Sequence, residues 1–305
     1  MASITSRPPP PPPVSPSAAS TSVSALSAST MPTSVESKSE NDPQTVRFTN
    51  VQDLFDVINS TTGDFLTVLN VTPSHFTEIE RGREKRHRKF RFRRYSSNSQ
   101  ILIITIPTDL HEALHLGLYE GYRDQLVKNN KKRSWKSIGT ATFRQQGHPR
   151  GDGGEGDSTG GPKPERVGAG KWPTLVIEAG DSETLGELHN DMRWWFRTSN
   201  HQVKIVILTK FDHQQHHILI EKWEEEISHG LLLYCSRVVF SVKRQPITIT
   251  RDKTINLISY NVTRGALVLG FRFLFLRDPG PQEGDFILSI QDLQLYAEVW
   301  AEVRD

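Results

Sequence analysis

The stretch "KWPTLVIEAGDSE", Lys171 to Glu183, decides how this chain is read. Four of the five residues from Leu175 to Ala179 are apolar, and the fifth is Glu178. A short apolar run closed by Gly180, Asp181 and Ser182 predicts a core strand. After it, Leu185, Leu188, Met192, Trp195 and Phe196 fall on one stripe, which predicts an amphipathic helix capped by Ser182. A carboxylate on a buried strand is costly when charged and unpaired. It is tolerated at a strand end with a cation or metal beside it. Upstream, "GEGDSTG" carries Glu155 and Asp157. An acid before one strand and a Glu on the next can hold a divalent metal against a phosphodiester. Equally, Glu178 can pair with Lys171, Arg193 or Lys204.

Working outward, "QVKIVILTKFD" and "HHILIEKWEE" read as two strands joined at a turn from Asp212 to Gln215. The crossover from the Val176 strand through the helix to the Ile205 strand is expected to be parallel and right-handed. On the N-terminal side, "SWKSIGTATFRQQ" (Ser134 to Gln146) reads as a strand. The Gly/Pro-rich run after it reads as loop at its ends. Before these come the apolar strand "QILIITIP" and a helix with Leu110, Ala113, Leu114, Leu118, Tyr122 and Leu126 on one stripe, capped by Thr108 or Asp109. "VQDLFDVINS" has helical spacing with Asn50 as its cap, and "DFLTVLNV" fits either more helix or a strand. At the other end, "ALVLGFRFLFL" predicts strand. A final helix is expected to turn Ile290, Leu293, Ala297 and Trp300 inward.

The expected class is therefore α/β (α+β), a mixed central sheet flanked by helices. Residues 1–44, with "RPPPPPP" and a Ser/Thr/Ala/Pro run, cannot bury enough apolar surface to order and read as a disordered tail. Polyproline of this kind can dock an SH3-like or WW-like groove. Residues 45–305 then form a single domain, with a core at about 100–225 and an extension at 247–305. The single cysteine, Cys235, excludes an internal disulfide and a cysteine-rich zinc site, and fits an intracellular, cytoplasmic or nuclear setting. No apolar run is long enough to span a membrane.

Net charge is only +2, but "RGREKRHRKFRFRRY" (Arg81 to Tyr95) holds nine of the 37 Lys/Arg and one of the 35 Asp/Glu. Its cations alternate with Phe90, Phe92 and Tyr95. That mix contacts phosphates and stacks bases, which nominates Arg86, Arg88, Lys89, Arg91, Arg93 and Arg94 for nucleic acid. In period two, the aromatics face the core and the arginines face out. Other chemistry is excluded or weaker. Gly170-Lys171 leads into a strand and lacks a P-loop's spacing. No G-x-S-x-G elbow occurs. "DHQQHH" reads as a solvated turn. "HEALH" (His111 to His115) matches the zinc-protease string H-E-x-x-H, which needs a third ligand elsewhere.

The order of parts supports one resemblance. A helix opening on His111 is followed by a strand, an acidic motif at Asp157, "P-x-LVIE" with Glu178, a helix, and an apolar strand near Lys204. This resembles the PD-(D/E)XK restriction-endonuclease-like superfamily, in particular the Uma-type endonucleases and a group of fungal proteins carrying this fold. The resemblance covers roughly residues 100–225. It implies a restriction-endonuclease-like core and Mg²⁺-dependent phosphodiester hydrolysis of DNA or RNA. Asp157 and Glu178, with the carbonyl of Ala179, would be the metal ligands. The family lysine falls on Gly180, which leaves Arg193 or Lys204 as the catalytic cation. A non-catalytic nucleic-acid- or protein-binding module on the same fold is the alternative, and a zinc hydrolase through "HEALH" is the third.

Overall fold

The computed structural model describes residues 44–302, except 87–88, 140, 146–147, 149–150, 233–234 and 255–256. The expected tail lies outside the described residues, as does Arg88. Two mixed sheets flanked by six α-helices make up the described part.

The first sheet is built from β1 (Gln44–Arg47), β2 (Phe65–Leu69), β3 (Arg91–Ser96), β4 (Ile101–Thr105), β6 (Phe143–Arg144) and β7 (Gly153–Gly154), in the order β1-β2-β4-β3-β7-β6. Helices α1 (Val51–Ser60) and α2 (Pro73–Arg86) cover it. Asn50 caps α1, its side chain accepting from the Asp53 amide. Leu54, Phe55 and Ile58 of α1 and Phe76 and Ile79 of α2 share a core with Leu66, Val68, Phe92, Tyr95, Leu102 and Ile104. "DFLTVLNV" is strand β2, because its alternating buried side chains fill this core. A bulge between Phe92 and Arg94 breaks the β3–β4 register. It lets Phe92 and Tyr95 both enter the core although they are three residues apart. The arginines are thrown to the opposite face, and that face is not solvent.

The second sheet contains β5 (Trp135–Ser137), β8 (Ser158–Pro162), β9 (Leu175–Gly180), β10 (Ile205–Asp212), β11 (His217–Leu232), β12 (Cys235–Thr254) and β13 (Leu257–Thr263), ordered β13-β12-β11-β10-β9-β8-β5. Helices α3 (Asp109–Lys128) and α4 (Leu185–Thr198) pack on it, and β9 and β10 are parallel across the α4 crossover. A strand covered on both faces reads as a near-continuous apolar run, as β9 does. Leu175, Ile177 and Ala179 share a core with Leu114, Leu118 and Tyr122 of α3. Val176 clusters with Leu188, Met192 and Trp195 of α4. Glu178 has the parity of Val176 and lies on the α4 side. The chain closes with α5 (Phe271–Phe275), α6 (Ile290–Tyr296) and a small sheet pairing β14 (Leu267–Leu269) with β15 (Phe286–Leu288).

Several expectations are corrected. Ser134–Gln146 is not one strand: its start is β5 in the second sheet and its end is β6 in the first. The Gly-rich run carries two strands, and "STGGP" is the fully buried β8. A Cβ at Gly160 would approach the Trp135 indole nitrogen to 2.5 Å, so only glycine lets β8 fit beneath that ring. Helix α4 is capped by Thr184, not Ser182, because Thr184 and Glu187 form a capping box. "FRFLF" is helical, and Ile290 is 45% exposed rather than inward.

Candidate functional site

The two sheets meet over a layer of buried charge. Asp157, just before β8, turns its carboxylate toward β9, where Oδ2 accepts from the Ala179 amide at 2.9 Å. The N–H of Ala179 is therefore what touches Asp157. Asp157 Oδ1 accepts from Arg91 Nη1 at 2.9 Å and lies 3.2 Å from His111 Nε2. Thr108 caps α3 and so places His111 and His115 on the face turned to the site. His115 Nδ1 meets Ser158 Oγ at 2.9 Å. Arg91 also donates to Glu112 at 3.0 Å.

On the α4 side, Glu178 is 1% exposed and accepts from the Trp195 indole. Arg93 enters from the bulge in β3. Its Nε donates to Asp191 Oδ2 at 2.6 Å, and its Nη1 to Glu183. Arg94 pairs with Asp191 at 3.1 Å. Glu155 is taken by Arg83 through two bonds of 2.7 and 2.6 Å, and by Thr142 at 2.5 Å.

Burial pushes Glu178 well above the usual carboxylate range, and the negative charges of Asp157 and Asp191 push it further; Arg93 and the Trp195 bond only partly oppose them. Burial also opposes ionisation of Asp157, but His111, His115 and Arg91 outweigh it and hold Asp157 well below its usual range. Two adjacent carboxyls thus carry opposite protonation tendencies, set by their neighbours. Arg91 and Arg93 are raised: burial disfavours their charge, but Asp157 and Glu112 for Arg91, and Asp191, Glu178 and Asp157 for Arg93, override it.

The other nominated residues lie elsewhere. Arg193 is on the exposed face of α4 and donates to Asn190 at 3.0 Å. Lys204 donates to the His201 carbonyl at 2.6 Å, before the strand end where Ile205 pairs with Leu175. Glu178 pairs with Leu208, at the other end of that ladder. The cation beside Glu178 is Arg93. Arg86 donates to Gln52 and lies over the Phe55 ring, and Lys89 is exposed. Arg91, Arg93 and Arg94 pair with acids instead of facing outward. A Cβ at Gly180 would come within 2.9 Å of Leu188 and 3.1 Å of Glu183 Oε2, so a side chain at the family position would displace those two side-chain ends.

Asp64, Glu183 and Asp191 were not singled out by sequence. Asp64 accepts from the amides of Asp181 at 3.3 Å and Ser182 at 3.0 Å. The T-x-x-E box could have flagged Glu183, because it starts the helix at Leu185 and leaves Glu183 outside it. Nothing in the local sequence marks Asp64.

Among the described residues, two groups bring ligand atoms within 4.8 Å of one another: His111, His115 and Asp157; and Asp64, His111 and Glu183. The layer can therefore hold a metal ion. His111 and His115 are 0% and 1% exposed, the setting of a closed structural site more than of an open hydrolytic one. Two buried polar atoms with neither a hydrogen bond nor an ion pair lie here, His111 Nδ1 and Glu183 Oε2. Each such atom costs about 1–3 kcal/mol if nothing satisfies it.

No family model matches this sequence, and no curated protein scores as a relative. Among the described residues, no helix is long and apolar enough to cross a membrane.

Proposed function

We propose that this chain is a metal-dependent phosphodiester hydrolase of the PD-(D/E)XK nuclease type. One observation carries the reading: the Asp157 carboxylate is bound to the amide of Ala179, the residue after Glu178, which sets Asp157 against the strand that carries Glu178. The succession of α3, β5, β8 behind Asp157, β9 with Glu178, α4 and parallel β10 is the succession the resemblance implies, and it supports the reading. The donor set fits a divalent ion. Burial first, and then the charges of Asp157 and Asp191, raise the pKa of Glu178, and a cation beside these acids would oppose that.

Asp157 and Glu178 would hold Mg²⁺, which supplies Lewis-acid polarisation and a bound water of lowered pKa. Arg93 lies where it can offset negative charge beside Glu178. Arg91 lines a cavity of about 620 Å³ with Arg83 and Lys89, and with Glu84, Asp109, Glu112 and Glu155, so the lining is of mixed charge. The test is digestion of plasmid and single-stranded DNA with Mg²⁺ or Mn²⁺, comparing the parent with Glu178→Ala. Cleavage by the parent and its loss in the variant are expected. Equal digestion by both removes Glu178 from the chemistry.

A second reading, a non-catalytic nucleic-acid- or protein-binding module, is favoured by the absence of the family lysine at Gly180 and by Arg91 and Arg93, which already neutralise Asp157 and Glu183 where a metal would otherwise do so. It requires salt-sensitive DNA binding that survives Glu178→Ala and no cleavage by the parent.

A further inference from the structure

We infer that Asp64, His111 and Glu183 form a closed structural site for a first-row divalent transition cation, zinc or manganese, separate from the Asp157–Glu178 pair. The three residues come from separate parts of the chain. Asp64 stands before β2 of the first sheet, His111 in the first turn of α3, and Glu183 between β9 and α4. Their ligand atoms lie within 4.8 Å of one another, and the residues are 2%, 0% and 0% exposed.

The second observation is chemical. Neither ring nitrogen of His111 has a hydrogen-bond partner, and neither does Glu183 Oε2. With His111 Nε2 facing Asp157, two atoms in one sealed place, His111 Nδ1 and Glu183 Oε2, remain as donors for a cation. The surroundings fix each donor from behind. Asp64 Oδ2 accepts from the amides of Asp181 and Ser182 and its Oδ1 from the Ser182 hydroxyl, and Glu183 is held by Arg93 through its other oxygen. Asp157 lies 3.2 Å from His111 Nε2, which leaves Nδ1 for the ion. A carboxylate behind a ligating imidazole is the usual outer-shell arrangement. One imidazole with two carboxylates suits zinc or manganese better than the all-oxygen preference of magnesium and calcium. The ion would join the first sheet to the second, so its effect is on stability. This inference does not rest on the hydrolase reading.

The experiment uses the full chain expressed in zinc-supplemented medium and purified without chelator. Metal content is measured by mass spectrometry, and Tm before and after a strong chelator. One zinc per chain and a fall in Tm on its removal are expected. Asp64→Asn and Glu183→Gln, which keep size and shape, should each lower zinc affinity by ~100-fold or more, beyond the ~10–100-fold typical of outer-shell partners. Glu178→Ala should keep the zinc. Cobalt substituted for zinc should give a d–d absorption band that Asp64→Asn shifts or abolishes. A parent with neither bound zinc nor bound manganese overturns the inference. So does zinc lost in Glu178→Ala but kept in Asp64→Asn and Glu183→Gln, which would put the ion at the other acids. These outcomes are independent of whether the protein cuts DNA.

Discussion

Two buried regions of this molecule are made of opposite materials. Between α3 and the second sheet, Leu114, Leu118 and Tyr122 meet Ile177, Ile205 and Ile207 in an apolar core. Between the two sheets, Arg91 and Arg93 meet Asp157, Glu178, Glu183 and Asp191 in a layer where every member is buried or nearly so. The first region gains from area, and a lost methyl subtracts a little. The second holds only while its charges balance, because one unpaired buried charge costs far more than the pair contributes. Layers of that kind are expensive to maintain, which is why we place function there.

The contrast can be broken by mutation. Arg93→Leu should give the largest effect, a loss of about 3–5 kcal/mol in urea unfolding, since it leaves Glu183 unpaired in the interior and Asp191 with Arg94 alone. A cost below that of a methyl deletion would show that the ionic layer is hydrated and inexpensive.

Glu178 sharpens the comparison through pH. Folded, it keeps its proton above about 4.5, the ordinary glutamate value, so the native state binds more protons than the unfolded chain across that window. Stability contributed by Glu178 therefore falls as pH rises through its folded pKa. Glu178→Gln cannot ionise and should escape that loss, so unfolding curves taken upward from pH 4.5 should increasingly favour the variant. Asp157 acts in the opposite sense: its contribution is present above 3.8 and is lost as pH falls through its depressed pKa. A gap between variant and parent that does not change with pH would mean that Glu178 is ionised throughout. The smallest effect belongs to the apolar core, where Ile177→Val should cost about 0.5–1.5 kcal/mol with no pH dependence. A strong pH dependence there would erase the distinction between the two regions.

Much of the scaffold was legible in the sequence. The caps Asn50 and Thr108, the parallel pairing of β9 with β10, and the β10–β11 hairpin follow from side-chain period and cap chemistry. Strand β8 was not legible, because "STGGP" has no pattern to read; its pairing is chosen by the indole above it. Glu178 stood out because a carboxylate interrupts an apolar run. The partners of Arg93 did not, because Glu183 and Asp191 lie 90 and 98 residues away and only the tertiary fold brings them near. The basic run misled for a related reason. Strict alternation turns its arginines to solvent, whereas one bulge and a second sheet enclose them.

That bulge has a consequence for how the protein can change. It seats two consecutive arginines, Arg93 and Arg94, at what would be one rung of the ladder, and both reach Asp191. Deleting Arg93 would restore regular alternation and keep Phe92 and Tyr95 on the same face, while halving the positive charge delivered to that carboxylate. The loss of a single codon could thus retune the charge of the layer and leave the aromatic packing in register. In this strand, one residue sets both the alternation and the charge balance, since Glu183 loses its cation with Arg93.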